Sequence, residues 1–88
     1  MDAILHERTQ GRIARIVQRM LEKRGAATAI GSARSLRDAG LTSLDMVNLM
    51  LAIEGEFDIF IPQDQMTPEN FQSIDAIETL VIGLTTGT

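Results

Sequence analysis

Between Ser43 and Glu56 the chain carries more apolar residues than one buried helix face can hold. At about 100° per residue, Met46, Leu49, Met50, Ile53 and Phe57 fall within one arc, and Leu44, Val47 and Leu51 fall on roughly the opposite side. The first arc reads as a core stripe, which commits the segment to a helix packed in a bundle. The second arc is expected to face solvent until another protein covers it, as a docking surface does. The competing reading is cover from within, by a short loop or by the last helix.

The rest of the chain supplies partners for the core stripe. Ile13, Ile16, Val17, Met20 and Leu21 recur at helical spacing, while Arg12, Arg15, Arg19 and Lys23 take other directions, so this segment is an amphipathic helix. Gly25 is its expected stop, and Gly11 leaves the upstream boundary open. Residues 26–42 read as a long loop with Gly31 and Gly40 as punctuation, room for a single turn at Ser35–Asp38, and Leu36 and Leu41 as pins to the core. A connection of that length inside a compact domain is more often functional than accidental.

Asp58 to Pro62 reads as an extended connector that drops side chains into the core. Thr67, Pro68 and Glu69 form the start signal of a short third helix anchored by Phe71. Ser73 is placed to cap a last helix in which Ile74, Ile77, Leu80, Val81 and Leu84 repeat. The expected fold is therefore all-α, a four-helix bundle with a long loop between helices 1 and 2 and a short third helix. Residues 1–88 are expected to form one domain, with 1–8 and 85–88 frayed.

Composition removes several function classes. With no cysteine, the 88-residue chain has no disulfide framework, no thiolate nucleophile and no zinc–thiolate site, so any thiol chemistry requires an added group. No apolar stretch approaches the roughly 20 residues of a membrane span, and the N-terminal segment is too polar for a secretory signal. A cytoplasmic, monomeric protein without metal or membrane partner is expected. Residues 1–40 sum to +4 and residues 41–88 to −8, the latter without a single basic residue. The acidic half argues against a polyanionic partner at that face, and no nucleic-acid partner is expected; binding through Arg12, Arg15, Arg19, Lys23 and Arg24 is the alternative, without a recognition motif to support it. With no Trp or Tyr and three Phe, there is no aromatic platform for single strands.

Chemistry, if the chain has any, belongs to Ser43. A serine hydroxyl on an exposed turn, beside the backbone N–H groups that open a helix, can hold an esterified phosphate in a field favouring negative charge. The single histidine, His6, is remote in sequence, and no local base is evident to make a nucleophile of the hydroxyl. The plain alternative is an ordinary helix N-cap contributing about 1 kcal/mol.

Asp38-Ala-Gly-Leu-Thr-Ser43-Leu-Asp-Met-Val47 resembles the prosthetic-group attachment site of acyl and peptidyl carrier proteins, usually Asp-Ser-Leu followed by an acidic residue. The resemblance spans Leu36 to Val81. Its second block, Glu56-Phe-Asp-Ile-Phe-Ile-Pro62, has a Phe, an Ile and a Pro at family offsets from the serine. It implies a non-enzymatic carrier with 4′-phosphopantetheine covalently attached to Ser43. It further implies a phosphopantetheinyl transferase that takes the arm from coenzyme A, reading Leu44, Asp45, Val47, Asn48 and Leu51, then a loading ligase and a downstream transferase.

Three departures bear on the branch. Thr42 replaces the usual Asp, Asn48 stands where fatty-acid carriers commonly have Glu, and Gly55 interrupts what is often an acidic triplet. The helix is thus less acidic than usual, and apolar contacts should carry more of the docking energy. The pattern is most similar to the stand-alone aminoacyl carrier proteins, charged with an amino acid such as glycine or alanine by a separate amino acid:carrier protein ligase. A fatty-acyl, polyketide or D-alanyl carrier would share fold and serine, and a cofactor-free helical interaction module would use only the apolar stripe.

Overall fold

The computed structural model describes residues 3–23, 25 and 30–85. Three α-helices, α1 (Ala3–Lys23), α2 (Ser43–Phe57) and α3 (Ile74–Thr85), are accompanied by two 3-10 turns, Gln63–Gln65 and Glu69–Phe71. There is no strand among the described residues. The upstream boundary left open by Gly11 lies at Ala3, inside the segment expected to fray, and the helix runs through Gly11 without a break. Thr85, expected in the frayed tail, is the last residue of α3, and residues 1, 2 and 86–88 of the expected frayed ends lie outside the described residues.

Each helix contributes one stripe to a common core. Ile13, Val17 and Leu21 of α1, one turn apart, are buried against Leu49 and Ile53 of α2 and Ile77 and Val81 of α3. Each such side chain contributes about 1.5–3 kcal/mol on burial. At the far end of α2, the Arg12 guanidinium of α1 donates to the Glu56 carboxylate at 2.7 Å and to the Glu56 carbonyl, and lies 4.3 Å from the centroid of the Phe57 ring. A cation there satisfies one of the carbonyls that a helix C-terminus leaves without an intrahelical partner. Asp58 then ends the helix in the left-handed region at φ 53°, its N–H reaching the Glu54 carbonyl.

The long loop is held at both ends. Leu36 N–H donates to the Gln72 carbonyl at 2.8 Å, and Asp75 N–H, one of the orphan donors at the start of α3, reaches the Ser32 carbonyl at 2.9 Å. Leu36 and Leu41 are buried, as expected of the apolar residues that pin the loop to the core. Between them the chain makes the single turn foreseen at Ser35–Asp38. Ser35 Oγ accepts from Asp38 N–H, and Ala39 N–H bonds the Ser35 carbonyl.

The turn closes as a Schellman motif. Leu41 N–H bonds the Leu36 carbonyl at 3.1 Å, Gly40 N–H bonds the Arg37 carbonyl at 3.0 Å, and Gly40 sits at φ +119°. A Cβ on Gly40 would meet nothing within 4 Å, so the cost of a side chain there is backbone strain alone. Gly40→Ala is accordingly expected to lower stability by about 1–3 kcal/mol, read as a drop in the urea midpoint at constant m-value. An unchanged midpoint would mean that the turn relaxes without loss.

The short third helix is reduced to one turn. Thr67 Oγ1 accepts from Asn70 N–H as its capping role required, but the bonds that follow are Asn70 N–H to Thr67 C=O and Phe71 N–H to Pro68 C=O, both of the 3-10 type. Phe71 must enter the core, and Ser73, two residues later, already caps α3 through Ala76 N–H at 3.1 Å. No length remains for a second turn. The connector before it is extended as expected, with Ile61 inward and its N–H on Glu54 Oε2, while Phe60 points out and is 78% exposed. Only alternate residues of an extended segment can face the core.

Candidate functional site

The loop turn and α2 meet at Thr42. Its backbone is extended (φ −87°, ψ 174°), its Oγ1 accepts from Asp45 N–H at 3.2 Å, and the Asp45 carboxylate accepts in return from Thr42 N–H at 2.9 Å and from the Thr42 hydroxyl at 3.0 Å. This is a capping box with Asp at its third position. Thr42, not Ser43, is therefore the N-cap, and the cap role weighed for Ser43 is taken by its neighbour. The Thr42 departure from Asp keeps the capping function, because both side chains are good helix caps, while removing one negative charge beside Ser43.

Ser43 is left as the first residue of the helix, exposed, with no side-chain hydrogen bond among the described residues. The first backbone hydrogen bond of α2 is Met46 N–H to Thr42 C=O at 3.0 Å. The N–H groups of Ser43 and Leu44 precede it and lie beside the hydroxyl, at the positive end of the helix. These features fit an esterified phosphate: an accessible acceptor oxygen, no competing structural duty, and donors at hand.

From Ser43 the exposed stripe continues along α2. Leu44, Val47 and Leu51 are 69%, 50% and 57% exposed, and Asn48 is exposed beside them. Neither the described part of the loop nor α3 covers them, so the reading of internal cover does not hold among the described residues. The opposite arc packs inward as expected, with Leu49 and Ile53 buried and Met46, Met50 and Phe57 half-buried against the core. Of the five residues assigned to partner recognition, Asp45 has a second duty, because its carboxylate is engaged in the capping box.

Two features of the site were not read from the sequence. A groove of about 470 Å³ opens beside Ser43, lined by Ser35 and Arg37 from the loop turn, Met46, Val47 and Met50 from α2, and Met66, Glu69 and Gln72 from the connection to α3. Its walls come from three separate stretches, so no local spacing announces it. The second is the intramolecular use of Arg12, which removes one of the five cations that the nucleic-acid reading requires; Arg24 lies outside the described residues. No helix among the described residues is long and apolar enough to cross a membrane.

Residues 11–81 match the family model of the phosphopantetheine attachment site. Aminoacyl carrier protein 1 of Bradyrhizobium diazoefficiens is 48% identical over 73 residues, covering 83% of this chain and 81% of the relative. Aminoacyl carrier protein 2 of the same organism is 38% identical over 73 residues, covering 83% and 82%. Among solved structures, the Bradyrhizobium japonicum glycine:[carrier protein] ligase complexed with glycylated carrier protein contains a chain 48% identical to this one, with a TM-score of 0.69 over 81% of this chain and 96% of that chain.

Proposed function

The chain belongs to the phosphopantetheine attachment-site family, and from that premise we propose that it is a stand-alone aminoacyl carrier with 4′-phosphopantetheine on Ser43. The arm supplies a thiol on which cargo is held as a thioester. The cargo is a small amino acid such as glycine or alanine, delivered by a separate amino acid:carrier protein ligase. The observation that carries the reading is the exposed Ser43 hydroxyl, released from capping by Thr42 and set at the head of an uncovered apolar stripe. Identity of 48% with a carrier seen in its glycylated form supports the aminoacyl branch over a fatty-acyl, polyketide or D-alanyl one.

The residues divide the work. Ser43 Oγ is the acceptor atom, and the first-turn N–H groups of α2 face the charge that the acceptor gains. Thr42 and Asp45 fix the helix start, so the transferase meets the serine in one orientation. Leu44, Val47, Asn48 and Leu51 form the contact face for the transferase, the ligase and a downstream transferase. We take residues 1–88 as a single carrier domain, monomeric and cytoplasmic. We take the 3-10 turn Glu69–Phe71 as the counterpart of the short third helix of a four-helix carrier fold.

The test is a charging assay. The modified protein, incubated with ATP, an amino acid:carrier protein ligase and glycine or alanine, is expected to gain one aminoacyl group by intact mass. Charging by a fatty-acyl ligase alone would move the assignment to the fatty-acyl branch.

The contact face makes its own prediction. Leu51→Asp is expected to lower kcat/KM for charging about fivefold or more, since a buried apolar anchor of an interface contributes above roughly 1 kcal/mol. Its own stability should change by less than about 1 kcal/mol, because the side chain already faces water. Val47→Asp should behave alike. Unfolding of either variant in a thermal melt would mean that the stripe is part of the core.

A further inference from the structure

We propose that Arg37 is a positioning residue that holds the phosphodiester carried on Ser43, keeping the root of the arm against the groove between the loop turn and α2. The proposal rests on the reading of Ser43 as the attachment site. Arg37 and Ser43 line the same groove, and Arg37 is the only cation among its described lining residues. It is also the last cation of the sequence: residues 38–88 hold nine acidic residues and no basic one.

A phosphodiester adds a permanent negative charge to this acidic surface, next to Glu69 in the same groove. Self-repulsion of that kind disfavours the compact state unless a local cation offsets it. The N-terminus of α2 supplies part of the offset, and Arg37 is the only side chain of the groove able to supply the rest. Its guanidinium presents a planar fork of N–H donors that matches phosphate oxygens in pairs, which lysine does not.

The fold holds Arg37 in place for this role. Its backbone lies inside the turn closed by Gly40 and Leu41, and the residue before it, Leu36, is buried and bonded to the Gln72 carbonyl. Arg34, three residues earlier on the same loop, is directed instead to the Asp38 carbonyl at 3.3 Å. The side chain of Arg37 is exposed and makes no hydrogen bond or ion pair among the described residues. A turn anchored this firmly, carrying into the groove of the acceptor serine an arginine that has no partner among the described residues, is suited to receive an anion that arrives only on modification.

The experiment compares wild type, Arg37→Gln and Arg37→Lys, each as unmodified and as fully modified protein, with intact mass establishing the state. Unmodified midpoints of thermal unfolding should agree within about 2 °C, as expected for an exposed side chain. Modification should raise the wild-type midpoint by about 2–4 °C more than that of Arg37→Gln. Arg37→Lys should recover part of the difference, and salt at about 1 M should erase most of it. The Arg37 Nε–Hε resonance should move on modification of the wild type.

Equal shifts in wild type and Arg37→Gln would overturn the proposal while leaving the attachment site intact, as would an Arg37→Gln loss of the same size in both states. Failure of the wild type to gain the arm would overturn the attachment reading and the proposal with it.

Discussion

Replacing Ser43 with alanine is expected to abolish modification and charging completely while leaving the fold unchanged. The acceptor oxygen is lost, and no other hydroxyl stands at the head of α2 in the same relation to its first N–H groups, because the Thr42 hydroxyl is bonded within the capping box. Stability should stay within about 0.5 kcal/mol of wild type, since Ser43 is a helical residue without a capping duty and alanine is the better helix former. Thr42→Ala is the mirror experiment. It removes the cap and should cost about 1 kcal/mol while the chain still accepts the arm. Circular-dichroism melts and intact mass on the two variants separate the roles. A destabilised Ser43→Ala with an unaffected Thr42→Ala would reverse them.

The second large effect concerns the core under the site. Phe71 is fully buried, and Phe71→Ala should cost about 3–5 kcal/mol through lost burial and the cavity left behind. Against a total of about 0.05–0.15 kcal/mol per residue for a domain, that is a large part of what holds this chain folded. The loss should reach the site as well. Phe71 precedes Gln72, whose carbonyl fixes Leu36 and so the turn beneath Ser43. Phe60→Ala is the control, because that ring is exposed and its removal should change stability by less than about 0.5 kcal/mol. Chemical denaturation with both variants checks the contrast, and equal losses would mean that Phe60 packs as Phe71 does.

Much of this was legible because it depends on periodicity and local chemistry. The two arcs of α2 separated by angle alone, and they pack and face solvent as the wheel requires. Leu36 and Leu41 could be named as pins because they are the large apolar residues around an otherwise small and polar turn. Ser73 could be named as a cap from its position before the last helix.

What escaped the sequence depends on geometry at a distance, or on a choice between equals. Thr42 and Ser43 are adjacent and chemically alike as caps, so spacing alone did not assign the role; the signal that decides it is Asp45, three residues after Thr42, closing the box. The third helix carried a good start signal but ran out of chain before Ser73. Which side chains of the connector enter the core was left unassigned, and the alternation of an extended segment turns Phe60 outward. Arg12 and Glu56 meet across 44 positions of sequence, and the groove that holds Arg37 beside Ser43 is assembled from three stretches. Such contacts are set by how the helices cross, which no local pattern encodes.

Intact mass of the protein before and after incubation with coenzyme A and a broad-specificity phosphopantetheinyl transferase, with fragmentation to locate any added group, decides whether Ser43 carries the arm. A single phosphopantetheine on Ser43 is expected. An unchanged mass, under conditions that modify a control carrier to completion, would contradict it and leave Ser43 as a plain first residue of a helix whose apolar stripe binds a partner without a cofactor.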